Sequence, residues 1–201
     1  MIRNIIFDLG NVLLNFKPKE FMKRFSQDEQ RIDSLVSRMI GPEVWFKLDR
    51  GVLTWKEAKK IYLEKYPEEK DILKPFLESA WEMLTPIEEN VKILRELKEK
   101  GYNLYVLSSF IKEAFAYVRK KYDFFSLFDG ILLSYQEKLI KPEKEIYQKL
   151  VDRFDLNPEE CIYIDDHDFI LKPAEKLGMK TIHFTENTDL KNELKSRGVK
   201  I

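Results

Sequence analysis

Apolar positions along the chain follow two alternating rhythms. Short aliphatic or β-branched runs end abruptly at polar residues, as Ile5-Ile6-Phe7 does at Asp8, Leu104 to Leu107 at Ser108 and Cys161 to Ile164 at Asp165; Gly130 to Leu133 and Thr181 to Phe184 are runs of the same kind. Runs this short, bounded by breakers such as Gly10-Asn11, predict buried strands. Between them the spacing becomes helical. Pro86 to Lys100 places Val91, Leu94 and Leu97 on one face, Pro142 to Phe154 does so with Ile146, Leu150 and Val151, and Leu171 to Leu177 stops at Gly178. Strands alternating with helices predict an α/β fold, a Rossmann-like parallel sheet flanked by helices. Ligands bind such sheets beyond the carboxyl ends of the strands. Each polar residue that follows a strand is therefore a site candidate.

The alternation is interrupted once. From Pro18 to about Thr85 the pattern is helical throughout, with amphipathic stretches at Phe21–Phe25, Ile32–Ile40, Thr54–Tyr66 and Asp71–Met83, and with Gly41-Pro42, Pro67 and Pro75 as turn points. This predicts a helical cap domain of residues 17–85 inserted into an α/β core domain of residues 1–16 and 86–201.

Composition narrows the classes of function. With 44% hydrophobic and 13% aromatic residues in 201, the chain buries a core and is not disordered. Thirty-five basic residues balance thirty-five acidic ones, which argues against a nucleic acid or an anionic membrane as partner. No apolar run reaches the length of a membrane span, and the N-terminus lacks the features of a signal peptide, so a cytoplasmic location is expected. One cysteine, Cys161, and two histidines, His167 and His183, exclude an internal disulfide and a cysteine- or histidine-rich zinc cluster. Monomer and homodimer stay open.

The strand ends carry Asp8, then Ser108-Ser109, then Lys141 ahead of Pro142-Glu143, and last the pair Asp165-Asp166. An aspartate can attack phosphorus and form an aspartyl-phosphate. Asp8, Asp165 and Asp166 together carry about −3, which repels a phosphate; a Mg²⁺ ion with the Lys141 ammonium brings the sum near zero. Ser108 can donate to a phosphoryl oxygen. The set suits phosphoryl transfer.

These residues resemble the motifs of the haloacid dehalogenase (HAD) superfamily: a nucleophilic Asp, a Ser/Thr, a Lys and an acidic pair, in that order. Phe7-Asp8-Leu9-Gly10-Asn11-Val12 and Lys141-Pro142-Glu143 are similar to the branch with bacterial glucose-1-phosphatases. Asp165-Asp166 through Leu171-Lys172-Pro173 to Met179 is similar to the phosphatase domain of soluble epoxide hydrolases. The resemblance covers residues 1–16 and roughly 86–185. It implies that Asp8 is the nucleophile and a Mg²⁺ ligand, that the Gly10 carbonyl and Asp166 also ligate, and that Asp165 ligates more weakly or through water. It further implies that Ser108 and Ser109 bind the phosphoryl group and that Lys141 orients both nucleophile and phosphate.

Three positions depart from the family pattern. Gly10 replaces the usual second aspartate, the general acid/base; Ser109 stands where the branch has Asn; Ile170 stands where an Asn or Asp follows the acidic pair, with Asp168 a shifted substitute. Without an acid at position 10, hydrolysis should depend steeply on how readily the leaving oxygen departs, unless a cap residue or the substrate itself supplies the proton. The expected function is a Mg²⁺-dependent phosphatase for a small phosphorylated metabolite, a sugar phosphate for example. A catalytically weak phosphate-binding or regulatory protein and a 2-haloacid dehalogenase are the alternatives. His167 reads as a solvated loop residue with an acid/base role as its alternative. His183 and Cys161 read as structural, and Trp55, Tyr62 and Trp81 as core. Trp45, Phe46, Asp49 and Arg50 flank Gly51 in a turn, with cap packing and substrate selection as the two readings.

Overall fold

The computed structural model describes residues 1–41 and 43–201. Five parallel strands form one sheet: β1 (Asn4–Phe7), β2 (Asn103–Ser108), β3 (Gly130–Leu133), β4 (Cys161–Asp165) and β5 (Lys180–His183), in the order β3-β2-β1-β4-β5. β1 lies at the centre, and Phe7 pairs in register with Val106 on one side and Ile164 on the other. The chain winds outward from β1 first through β2 and β3 and then through β4 and β5. The reversal leaves a crevice beside the carboxyl end of β1.

Alternation along the strands divides the core. Ile5, Phe7, Leu104, Val106, Ile162 and Ile164 face one side, and Ile6, Tyr105, Leu107, Cys161 and Tyr163 the other. Eleven α-helices carry the rest of the chain among the described residues. Five lie between β1 and Thr85: α1 (Pro18–Met22), α2 (Glu29–Met39), α3 (Trp45–Asp49), α4 (Trp55–Lys65) and α5 (Lys70–Ser79). The others are α6 (Glu88–Glu99), α7 (Lys112–Lys121), α8 (Ser134–Glu137), α9 (Lys144–Phe154), α10 (Asp168–Lys176) and α11 (Leu190–Ser196). Apolar faces of α6, α7 and α11 cover the first side of the sheet and those of α9 and α10 the second.

The inserted helices α1–α5 join the core through two adjacent strands of linker. Leu14 bridges Pro86, the Asn15 N–H donates to the Thr85 carbonyl at 2.8 Å, and the Ile87 N–H donates to the Leu13 carbonyl at 2.9 Å. Their buried side chains, among them Met22, Leu35, Trp45, Trp55 and Phe76, are continuous with the first side of the sheet core.

Some local expectations need correction. Pro75 is not a turn point but lies inside α5, where burial of Ile72, Leu73, Phe76 and Leu77 offsets the roughly 3 kcal/mol cost of an interior proline. The helix expected from Pro142 begins at Lys144, because the Glu143 N–H closes a turn on the Ile140 carbonyl at 2.9 Å. Of the turn expected at Gly41-Pro42, Pro42 lies outside the described residues. Among the described residues no helix is long and apolar enough to cross a membrane.

Candidate active site

A cavity of about 400 Å³ opens over the carboxyl end of β1. Its floor comes from the strand ends and carries Asp8, Gly10, Ser109, Lys141, Asp165 and Asp166; the chain between β1 and α6 supplies Ile40, Trp45, Phe46, Asp49, Trp81 and Leu84 to its wall. The polar groups expected to converge from strands far apart in sequence are thus brought to one place. Ser108 ends β2, buried and outside the cavity lining, which its neighbour Ser109 joins.

Lys141 organises the floor. Its side chain is 3% exposed, and Nζ lies 2.8 Å from Asp8 Oδ1 and 2.5 Å from Asp165 Oδ2. The contact with Asp8 is an ion pair, not an aligned hydrogen bond. Burial works to discharge the lysine, but Asp165 and Asp8 override it and hold its pKa above the ordinary value. Asp8 responds differently. Burial pushes its carboxyl up to about 6, Lys141 opposing and the Asp165 and Asp166 charges adding to the rise. One lysine leaves the three carboxylates short of positive charge.

Asp165 and Asp166 are adjacent but differently used. Asp165 is fully buried and committed to the protein. Its Oδ2 accepts from Lys141 Nζ and, at 2.5 Å, from the Tyr163 hydroxyl, and its Oδ1 accepts the His167 N–H at 3.0 Å. Asp166 stands at the cavity with one oxygen 2.8 Å from His167 Nδ1 and the other accepting from Asn11 Nδ2 at 3.1 Å. Burial acts to raise its pKa, yet His167 and Asn11 prevail and the net shift is downward. The hydrogen bond to Asp166 raises the His167 pKa in turn.

Ser108 is 1% exposed, and its hydroxyl has no hydrogen-bond partner among the described residues. A buried hydroxyl without a partner costs about 1–3 kcal/mol, so it is well suited to meeting a ligand. Ser109 lines the cavity while its Oγ accepts the Lys141 N–H at 3.1 Å, which anchors the lysine's backbone. The available donors fit Mg²⁺. They are hard oxygens of Asp8, Asp166 and the Gly10 carbonyl, and one ligand atom each from Asp165, Asp166 and His167 lies within 4.8 Å of the others.

Two participants escaped the sequence reading. Tyr163 precedes Asp165 by two positions and so shares its face of β4, a signal present in the strand period. Asn11, read only as a breaker, adopts φ 52° and accepts the Phe16 N–H at 3.0 Å while donating to Asp166. Trp81 is a cavity residue as well as a packing one, its ring tilted against that of Trp55 at 4.4 Å. Phe46 is exposed at the cavity wall, whereas Trp45 is buried and packs 5.6 Å from Phe16. His183 Nε2 lies 3.1 Å from the Asp166 carbonyl, and Cys161 is buried. Asp168 and Ile170 lie in the first turn of α10, and Asp168 pairs outward with Lys172 at 3.3 Å.

Comparison with known proteins places this geometry in a family. The model of the haloacid dehalogenase-like hydrolases matches residues 2–178. The chain belongs to that family. It is 27% identical over 186 residues to sesquiterpene phosphatase astK of Aspergillus oryzae, covering 90% of this chain and 89% of the relative. It is 30% identical over 127 residues to (S)-2-haloacid dehalogenase 4A of Burkholderia cepacia, covering 63% of this chain and 55% of that relative. Among solved structures, a HAD family enzyme of Bacteroides thetaiotaomicron in complex with magnesium and inorganic phosphate superposes with a TM-score of 0.76 at 26% identity, over 96% of this chain and 99% of the other. This HAD-like hydrolase thus resembles both a phosphatase and a dehalogenase, and the site residues must decide between them.

Proposed function

We propose that this hydrolase is a Mg²⁺-dependent phosphatase acting on small phosphomonoesters, with residues 17–85 serving as a cap over the core of residues 1–16 and 86–201. The observation that carries the reading is Lys141, buried and bridging Asp8 to Asp165 at the cavity floor. A lysine so placed restrains the Asp8 carboxylate as a nucleophile and offers a cation to the phosphoryl oxygens. Asp8 attacks phosphorus and carries the phosphoryl group as an aspartyl-phosphate, and Ser108, with no hydrogen-bond partner among the described residues, donates to a phosphoryl oxygen. Asp8, the Gly10 carbonyl and Asp166 hold the metal, while Asp165, occupied by Lys141, Tyr163 and the His167 N–H, supports it from behind. When bound, Mg²⁺ supplies charge neutralisation for the phosphate dianion.

The dehalogenase reading is weaker for this site. A carboxylate pair beside Asp8 with one lysine calls for a further cation, which a haloacid does not bring. The cavity also speaks about the ester's other half. Away from the floor it is walled by Phe16, Trp45, Trp81, Leu84, Phe110 and Ile111, surfaces that match an apolar or aromatic alcohol better than the hydroxyls of a sugar. Turnover of p-nitrophenyl phosphate that requires Mg²⁺, stops with EDTA and is abolished in Asp8→Asn is the expected result. Metal-independent halide release from 2-haloacids, or phosphate binding without turnover, would overturn it.

A further inference from the structure

Gly10 leaves the core without the carboxyl that protonates the leaving oxygen, and the cavity holds another. Asp49 ends α3 and belongs to the cavity wall that the inserted helices build opposite the strand ends. Among the described residues nothing pairs with its carboxyl group, in contrast to Asp165 and Asp166, whose oxygens are taken. Its own position is fixed through the backbone. The Ser134 hydroxyl donates to the Asp49 carbonyl at 2.5 Å, and the next two residues clamp onto the segment that precedes and follows Lys141. Arg50 pairs with Glu143 through two contacts, at 2.5 and 3.1 Å, and donates to the Lys138 carbonyl at 3.0 Å; Lys138 Nζ donates to the Gly51 carbonyl.

We infer that Asp49 is a catalytic residue of this hydrolase, the general acid that protonates the departing oxygen and the general base that activates water afterwards. The inference rests on the phosphatase reading. In the first step an Asp8 oxygen bonds to phosphorus, the bond from phosphorus to the ester oxygen breaks, and the electron pair stays on that oxygen. The Asp49 proton passes to it, releasing a neutral alcohol and leaving Asp49 as a carboxylate. In the second step water takes the vacated place. Its oxygen bonds to phosphorus, Asp49 accepts its proton, and the bond from Asp8 to phosphorus breaks, giving inorganic phosphate and restoring both aspartates.

The environment suits a group that must hold and return a proton near neutrality. Burial pushes the Asp49 carboxyl up to about 7, with Lys141 opposing and Asp8 adding to the rise. His167, which also lines the cavity, is less suited because its Nδ1 is engaged by Asp166.

The test compares Asp49→Asn with wild type on two Mg²⁺-dependent reactions. Dinitrophenyl phosphate releases an oxygen that needs no proton, and benzyl phosphate releases one that does. Asp49→Asn should lose ~10²–10⁴-fold in kcat/KM on benzyl phosphate and stay within a few-fold of wild type on the dinitrophenyl ester, with inhibition by inorganic phosphate retained. Equal losses on both esters, or none on either, with wild type active on both, would overturn the role of Asp49 and leave the phosphatase reading standing. A wild type that hydrolyses neither ester overturns both. Should Asp49→Asn fail to fold, wild type alone decides: kcat/KM nearly flat across phosphates of graded leaving-group acidity supports proton delivery, and a steep dependence overturns it.

Discussion

Gly51→Ala tests the contact that brings the inserted helices to the site. Gly51 has φ +65°, a conformation that costs an alanine about 1–2 kcal/mol. The added Cβ would also lie 2.5 Å from the Tyr135 carbonyl oxygen and 2.9 Å from Tyr135 Cα and Lys138 Nζ. Lys138 can swing aside, but the backbone of Tyr135 is fixed in α8, so the two segments must part by roughly 1 Å to restore ordinary contact. That separation breaks the hydrogen bonds of Ser134 to the Asp49 carbonyl and of Lys138 to the Gly51 carbonyl, each worth about 0.5–1.5 kcal/mol. Together the terms disfavour the clamped arrangement by about 2–5 kcal/mol, or roughly 30- to 5,000-fold. The expected result is a fall of that order in kcat/KM for an apolar phosphomonoester. Gly101→Ala is the control: it has φ +82° but open space around the new methyl group, so it carries the conformational cost without the clash. A Gly51→Ala enzyme with wild-type kcat/KM, or one no worse than Gly101→Ala, would refute the claim that this contact assembles the site.

The remaining predictions concern charge. Asp166→Asn should weaken Mg²⁺ binding more than Asp165→Asn in calorimetric titration, while Asp165→Asn should lower the unfolding temperature more, since fully buried Asp165 pairs with Lys141 and accepts from the Tyr163 hydroxyl and the His167 N–H. Equal losses in both measurements would reject the division of labour. Glu137, in α8, pairs with Lys149 at 2.8 Å and Arg153 at 2.7 Å. Burial acts to raise its pKa, but Arg153 and Lys149 override it and the folded value lies below the ordinary 4.5. A depressed folded pKa contributes stability above the unfolded value and loses it as pH falls through the folded one. Glu137→Gln should therefore cost about 1 kcal/mol in urea unfolding at pH 7 and progressively less below pH 4.5; a cost independent of pH would reject the assignment.

The sheet was legible in the sequence because its strands are buried on both faces and read as unbroken apolar runs ending in polar residues. The four site segments were legible for the same reason, since each ends or follows such a run. What stayed hidden depends on tertiary contact. α7 and α11 have faces of three and two buried residues, and their placement rests on packing against the sheet. α5 keeps Pro75 only because four apolar neighbours are buried around it. Ser109 shows the limit most clearly. The sequence marks it as a phosphate-binding residue, yet its hydroxyl accepts the Lys141 N–H, 32 positions away.

The position of Asp49 gives the loss of an acid at Gly10 a physical sense. Gly10 is not demanded by the backbone there: an added Cβ would meet only ordinary contacts, with Asp8 Oδ2 at 3.9 Å and Phe16 Cβ at 4.0 Å. A carboxyl at that point would add a fourth negative charge to a floor where Lys141 already faces Asp8, Asp165 and Asp166, and would raise the Asp8 pKa beyond about 6. Placing the proton donor on α3 moves that charge to the far wall and ties it to the Arg50 and Gly51 contacts. The donor is then in place only when the inserted helices are seated on the core, the same arrangement that walls the ester behind Trp45 and Trp81 and limits the access of water. An acid carried on the sheet edge would be present whether or not the site were closed. One carried on the insertion is held there by the Ser134, Arg50 and Lys138 contacts, so proton transfer depends on the same contacts that wall the cavity.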